Sequence, residues 1–304
     1  MTKSFCIAVV LLLFVSSQIF AQNKVDLHQI IEQIVSAKSA VVGVSIVSED
    51  GKAKFYLNGK KHFPMQSVFK FHIGVVMLSE IDKGRFSLDQ KIEIKQSELL
   101  PGLYSPIRDK YPDGATLTIA EILEYTISKS DNVGCDALLR LLGGPTAVEN
   151  YFVKHKFKDV SIRINEEVMQ NNWDLQFQNW TTPKAAYKVL DAVYYNKKKL
   201  LSQKSYDFLW KVMRETETGP NRLKGQLPTG TVVAHKTGWS GVNKTTGVIA
   251  AANDIGVVTL PNGEHFFISV FVTESKETPE SSEKIIADIA KAAWDHFTAA
   301  AKGK

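Results

Sequence analysis

Ser67 and Lys70 are the first residues along this chain whose types and spacing suggest covalent chemistry. They stand in Phe63-Pro64-Met65-Gln66-Ser67-Val68-Phe69-Lys70, which leads into Phe71 to Ile81, a run apolar nearly all round, as in a fully buried helix. Three residues along a helix bring a side chain about 60° from alignment and roughly 4.5 Å up the axis, so the lysine amine reaches the serine hydroxyl. A crowded apolar setting disfavours the charged form of a lysine, which suits a base acting on serine. The free backbone N–H groups of a helix start can stabilise an oxyanion. Ser-x-x-Lys is a weak pattern by itself, because Ser281-Ser282-Glu283-Lys284 also matches it. There the serines precede an amphipathic C-terminal helix and read as an N-cap with a surface lysine.

Two tripeptides strengthen the first site. Ser130-Asp131-Asn132 lies between helical stretches at Leu117 to Ser128 and Val133 to Leu142, and Lys236-Thr237-Gly238 follows a strand from Thr231 to His235. Each has a purely structural reading, as a helix-capping loop and as a strand end with a solvated lysine. One specified tripeptide is expected only about a few hundredths of a time in a chain of this length. The pair, in this order after Ser67 and Lys70, resembles the signature set of the active-site serine β-lactamase and penicillin-binding protein superfamily.

That resemblance covers essentially the whole chain after its leader, and it implies acylation of Ser67 by a β-lactam. Lys70 would help to deprotonate Ser67, Ser130 would pass a proton to the departing ring nitrogen, and Asn132 would bind the side-chain amide. Lys236 and Thr237 would hold the substrate carboxylate. The backbone N–H groups of Ser67 and Trp239 would form the oxyanion hole. The segment Asn165-Glu166-Glu167-Val168-Met169-Gln170, with Thr181-Thr182-Pro183 downstream, looks like the class A loop whose glutamate activates the deacylating water. Glu166 takes that role, because Met169 supplies the apolar residue three later and Gln170 stands where an amide would orient the water. Arg222, in Thr218-Gly219-Pro220-Asn221-Arg222-Leu223-Lys224-Gly225, resembles the arginine that helps to neutralise the substrate carboxylate. Tyr104 matches an aromatic at the mouth of the site. Ser105 to Pro112, Asn221 to Lys224 and Asn253 to Gly256 look most like the extended-spectrum subgroup that includes the PER and VEB types. Class A enzymes commonly clamp the ends of the glutamate loop with an Arg–Asp pair. Here Ile164 and Asn179 occupy those positions, with Arg163 and Asp174 as substitutes at other registers, so a different loop path and more room beside Ser67 are expected.

The elements that must position these groups follow from the pattern. Helical spacing from Val25 to Ser36 precedes a strand from Ala40 to Ser48, an Asp50-Gly51 turn and a return strand from Lys54 to Asn58. Helical periodicity dominates Phe63 to Met213. Strands then return at Thr231 to His235, Gly247 to Asn253, Gly256 to Leu260 and Phe266 to Thr273, with Asn253-Asp254 and Asn262-Gly263 read as hairpin turns, before a helix from Ser282 to Ala301. The expected fold is α+β, an antiparallel sheet built from both chain ends with flanking helices, plus an inserted all-α domain. The expected domains are 22–62 with 214–304 for the sheet and 63–213 for the helices.

Composition agrees with a globular chain. Its 304 residues carry 37 basic and 32 acidic side chains with no long basic block, so a nucleic-acid partner has no support. Lys3, the apolar run Ile7 to Val15 and Ala21-Gln22 have the shape of a secretory signal cleaved after Ala21, and no second apolar stretch approaches a membrane span. The seven histidines form no metal pattern, and His72 and His235 read as structural. The expectation is therefore a secreted, periplasmic, monomeric class A serine β-lactamase with a small β-lactam as its partner, no membrane anchor, no metal and no cofactor. The rivals are a D-alanyl-D-alanine carboxypeptidase or transpeptidase, and a β-lactam sensor acylated once. Glu166 argues against a peptidase, and the lack of a membrane segment argues against both.

Overall fold

The computed structural model describes residues 26–302, and the expected leader, residues 1–21, lies outside them. Helix α1 (Leu27–Ser36) leads into the hairpin of β1 (Val41–Ser48) and β2 (Lys54–Leu57), turned at Gly51, whose φ of 67° suits a residue without Cβ. The two-residue strand β3 (Phe63–Pro64) then delivers the chain to α2 (Phe69–Asp82). Every residue of α2 from Phe69 to Ser79 is buried, as its all-round apolar character predicts.

The stretch expected to be helical also carries five short strands: three are only two residues long, too short to show a period, and the exposed-buried alternation of Lys91–Lys95 is a single short run among helices. In order it contains β4 (Lys91–Lys95), α3 (Pro106–Lys110), β5 (Gly114–Thr118), α4 (Ile119–Ser128), α5 (Asn132–Leu142), α6 (Pro145–Lys154) and β6 (Val160–Ser161). It continues through α7 (Glu166–Asn171), β7 (Trp180–Thr181), α8 (Pro183–Tyr194) and α9 (Gln203–Arg214). Strands β4 and β5 pair with each other, and β3, β7 and β6 form a second small sheet.

The last part contains β8 (Val233–Trp239), β9 (Ala252–Thr259), β10 (His265–Thr273) and α10 (Pro279–Lys302). The main sheet has the order β2-β1-β10-β9-β8, antiparallel throughout, with Val44 opposite Val270 and Lys236 opposite Ile255. Alternation along β10 sorts its side chains between two cores. Phe266, Ile268, Val270 and Val272 meet Ile31 of α1 and Ile285, Ile286 and Ile289 of α10, while Phe267 and Phe271 join the core around α2. Full burial of each of these isoleucines stabilises by about 1.5–3 kcal/mol.

Three local expectations are corrected. Asn253-Asp254 is not a turn; both lie inside β9, paired to β8 and β10 on either side. Their polar groups find buried partners, Asn253 Nδ2 donating to the Pro64 carbonyl at 2.7 Å and Asp254 meeting His235 at 2.9 Å, and this overrides turn propensity. Lys236-Thr237-Gly238 sits within β8, not beyond its end. At the other Ser-x-x-Lys, Thr278 accepts from Ser281 N at 3.1 Å and Pro279 opens α10, so the cap falls three residues earlier than expected. The Asn262-Gly263 turn between β9 and β10 is present, with Gly263 at φ 85°.

Candidate active site

A 3-10 turn, Gln66–Val68, presents Ser67 just ahead of α2. Lys70 is fully buried one turn on, and its ammonium donates to Ser67 Oγ at 2.8 Å, to the Ser130 carbonyl at 2.8 Å and to Asn132 Oδ1. Glu166 Oε1 lies 2.8 Å from the same nitrogen and 3.5 Å from Ser67 Oγ. Serine, lysine and glutamate thus form one contact cluster, with an ion pair where sequence reasoning expected a lysine facing apolar surroundings.

Ser130 occupies a left-handed conformation, φ 60°, which turns both its carbonyl and its hydroxyl into the site. Lys236 donates to its Oγ at 2.9 Å and to the Thr237 carbonyl at 3.1 Å. Burial, reinforced by the nearby charge of Lys70, holds the Lys236 ammonium well below the usual lysine range. The middle residue of the tripeptide, Asp131, fixes this loop: its carboxylate accepts from Gly134 N as the N-cap of α5, and from Ser105 Oγ and Ile107 N at the start of α3. Asn132 N donates to the Tyr104 carbonyl at 3.1 Å, so the exposed Tyr104 ring is carried beside the site.

Strand β8 forms the facing wall. A Cβ on Gly238 would fall 2.4 Å from the Met65 carbonyl, so only glycine lets the strand lie against the turn that bears Ser67. Thr237 Oγ1 contacts Thr218 Oγ1, and Trp239 ends the strand partly exposed. Arg222 is buried behind this wall. Its Nε pairs with Glu283 at 3.0 Å, its Nη1 donates to the carbonyls of Gly238 and Asn253, and its guanidinium stands 5.6 Å from the centre of the Trp239 ring. Gln170 is not joined to the serine cluster by a hydrogen bond; its amide lies against Gly102, 3.5 Å from where a Cβ there would stand.

Several positioning residues escaped sequence reasoning. Asp136 accepts from the N–H groups of Glu166 at 2.8 Å and Glu167 at 3.0 Å, pinning the start of α7. Burial, with Glu166 nearby, raises its pKa to about 7. Its spacing of four from Asn132 on α5 was the available signal. Gln66, at φ 46°, donates to Gln176 Oε1 at 2.6 Å, and Gln176 donates in turn to the Trp173 carbonyl. The substitute Arg163–Asp174 pair does not form, since Arg163 Nη2 meets Glu149 of α6 at 2.7 Å. The ends of the glutamate loop are closed instead by Asn179. Its Oδ1 accepts from Arg163 N at 2.7 Å and Ile164 N at 3.1 Å, and its Nδ2 donates to the Ile164 carbonyl at 2.8 Å. A neutral amide thus closes the loop at positions where the sequence allows no Arg–Asp pair.

A model of the "Beta-lactamase enzyme family" matches residues 26–297. The chain is 56% identical to Beta-lactamase VEB-1 of Pseudomonas aeruginosa over 88% of its length and 89% of that protein's. It is 40% identical to the extended-spectrum β-lactamase PER-1 of the same organism over 92% and 90%. Among solved structures, a representative class A β-lactamase from Bacteroides cellulosilyticus superposes with a TM-score of 0.85 at 40% identity, covering 90% of this chain and 97% of that one. Motif order, the cluster around Ser67 and these matches agree, and the chain belongs to the β-lactamase enzyme family, in its class A.

Proposed function

We propose that this enzyme opens the β-lactam amide in two steps through Ser67, and that the contact cluster of Ser67, Lys70 and Glu166 carries the chemistry. Ser67 Oγ attacks the ring carbonyl as its proton passes to the Lys70–Glu166 pair. The ring C–N bond breaks, and Ser130, supported by Lys236, gives its proton to the departing nitrogen and takes back the one held by the Lys70–Glu166 pair, which returns to its starting state. The N–H groups of Ser67 and Trp239 receive the oxyanion. Glu166 then takes a proton from a water that attacks the ester, the acyl C–Oγ bond breaks, and that proton passes to Ser67 Oγ as the product acid leaves. Gln170 helps to orient that water. Lys236 and Thr237 hold the substrate carboxylate, Arg222 adds positive charge behind them, Asn132 binds the side-chain amide, and Tyr104 flanks the opening. No cofactor is needed.

The distances of 2.8 Å from Lys70 Nζ to both Ser67 Oγ and Glu166 Oε1 are the observation that supports this reading most directly. Purified protein should turn over a chromogenic cephalosporin and, in intact-mass measurements, gain one penicillin at Ser67. Turnover by a Ser67→Ala variant would refute it. We further propose export through cleavage near Ala21, action as a periplasmic monomer, and two structural units at 22–62 with 214–304 and at 63–213. No helix among the described residues is long and apolar enough to cross a membrane.

The Asn179 closure supports a reading of substrate range as well. Oxyimino cephalosporins should be hydrolysed with kcat/KM within about tenfold of small-side-chain cephalosporins, a gap of ~1.4 kcal/mol. A penalty of a hundredfold or more in steady-state kinetics would sink this.

A further inference from the structure

Three cations are buried in and around the site, and two of them contact an anion. Lys70 meets Glu166 and Arg222 meets Glu283. Lys236 donates only to neutral oxygens, Ser130 Oγ and the Thr237 carbonyl. An ammonium buried without a counter-charge is strongly disfavoured. From the elements packed around it, Lys70 on α2 and Arg222 on the 219–225 turn repel its charge, while Asp254 on β9 and Glu166 on α7 attract it. Glu166 is already in contact with Lys70, so the remaining anion is Asp254.

Asp254 is fully buried and lies in β9 opposite Thr237. Both its oxygens stand 2.9 Å from His235 Nδ1, and Oδ2 accepts from Leu223 N at 3.3 Å. His235 Nε2 has no partner among the described residues, which favours the tautomer that donates Nδ1–H to Asp254. His235 immediately precedes Lys236, and Leu223 immediately follows Arg222. One buried carboxylate therefore fastens the chain neighbours of both cations, and its charge also acts on Lys224 near the same turn.

We infer that Asp254 is a positioning residue for recognition of the substrate carboxylate, balancing the charge of Lys236 and fixing β8 and the Arg222 turn through His235 and Leu223. This rests on the reading that Lys236 and Thr237 hold that carboxylate.

The test compares a penicillin with its carboxyl methyl ester on the wild type, Lys236→Ala, Asp254→Asn and Asp254→Glu, together with the pH profile of kcat/KM. Wild type should prefer the free acid, and Lys236→Ala should lower the acid-to-ester ratio at least tenfold; an unchanged ratio would overturn the carboxylate reading and this inference with it. Asp254→Asn should lower the ratio at least fivefold, chiefly through KM for the acid, with ester turnover falling less than acid turnover. Loss of a negative charge lets Lys236 shed its proton sooner, so the alkaline limb should move down by at least half a pH unit. Equal losses for acid and ester with an unmoved limb would show a scaffold role only and overturn the inference alone. Should Asp254→Asn not fold, Asp254→Glu keeps the charge but displaces its oxygens: the limb should stay in place while the ratio falls, and an unchanged ratio would overturn the inference.

Discussion

Ser67-x-x-Lys70 and Ser281-x-x-Lys284 share one pattern and have opposite fates. The Lys70 side chain is 0% exposed and reaches Ser67, Ser130, Asn132 and Glu166, whereas that of Lys284 is 61% exposed and pairs along its own helix with Asp288. Ser281 Oγ donates to Glu277, one turn back in sequence. Four residues on a helix bring a serine and a lysine to the same side. What they do there depends on whether the helix is buried on all faces and which groups approach from other elements.

The largest test of that contrast is Ser67→Ala against Ser281→Ala. The first should remove penicillin labelling and reduce turnover by about 10⁴-fold or more, and the second should change neither. Intact mass and steady-state rates report both, and labelling retained without the Ser67 hydroxyl would collapse the distinction. Glu166→Ala comes next, removing the group that reaches Lys70 from another element. The acyl-enzyme should form and persist, with turnover reduced by about 10²–10⁴-fold. Wild-type turnover would move the base to Glu167, and failure to acylate would mean that Glu166 also serves the first step.

The same buried helix carries a group that has gained no such partner set. His72 packs against Phe71 and Phe152, and burial lowers its pKa to about 4, the Val68 backbone opposing in part. Its folded value lies below the unfolded one of about 6.5, so the unfolded chain binds the extra proton. Stability should therefore be complete above pH 6.5 and fall by about 3 kcal/mol as the pH drops towards 4. Denaturant melts across that window check this, and His72→Leu should flatten the slope; an identical slope in the variant would assign it to other groups.

Asn179→Ala probes the smallest effect. It strips the amide that closes the glutamate loop and leaves buried backbone groups unpaired, at about 2 kcal/mol of stability. Deacylation should suffer more than acylation, because α7 hangs from that loop. Burst-phase kinetics separate the two steps, and equal losses would show that the closure does not serve Glu166 in particular.

What could be read from the sequence follows from distance along the chain. Ser67 and Lys70 are three apart, Ser130 and Asn132 two apart, and Lys236 and Thr237 adjacent, so local spacing reveals each set. The sheet from both ends was readable because β1 and β10 alternate or run apolar for eight or nine residues. Gln66 and Gln176 meet across 110 positions, and nothing in either segment announces the other. Asn253-Asp254 misled for a related reason: turn propensity is a local quantity, and buried partners on β3 and β8 outweigh it. Asn179 could be seen to lack the charge of a clamp, but not that its amide would clasp the backbone at 163 and 164 instead.

The pairing of Val44 with Val270 sets the order in which this molecule can become active. The pairing closes more than 200 residues, at a loop-closure entropy of about 5 kcal/mol that must be met before the two ends of the chain share one sheet. Local helices can form early, but β1 has its long neighbour only once the last strand exists. The turn that bears Ser67 likewise waits for a late segment of the chain, because Asn253 on β9 holds the carbonyls of Pro64 and Met65. A chain still lacking its final strands is therefore catalytically silent, and the nucleophile is assembled at the end of folding.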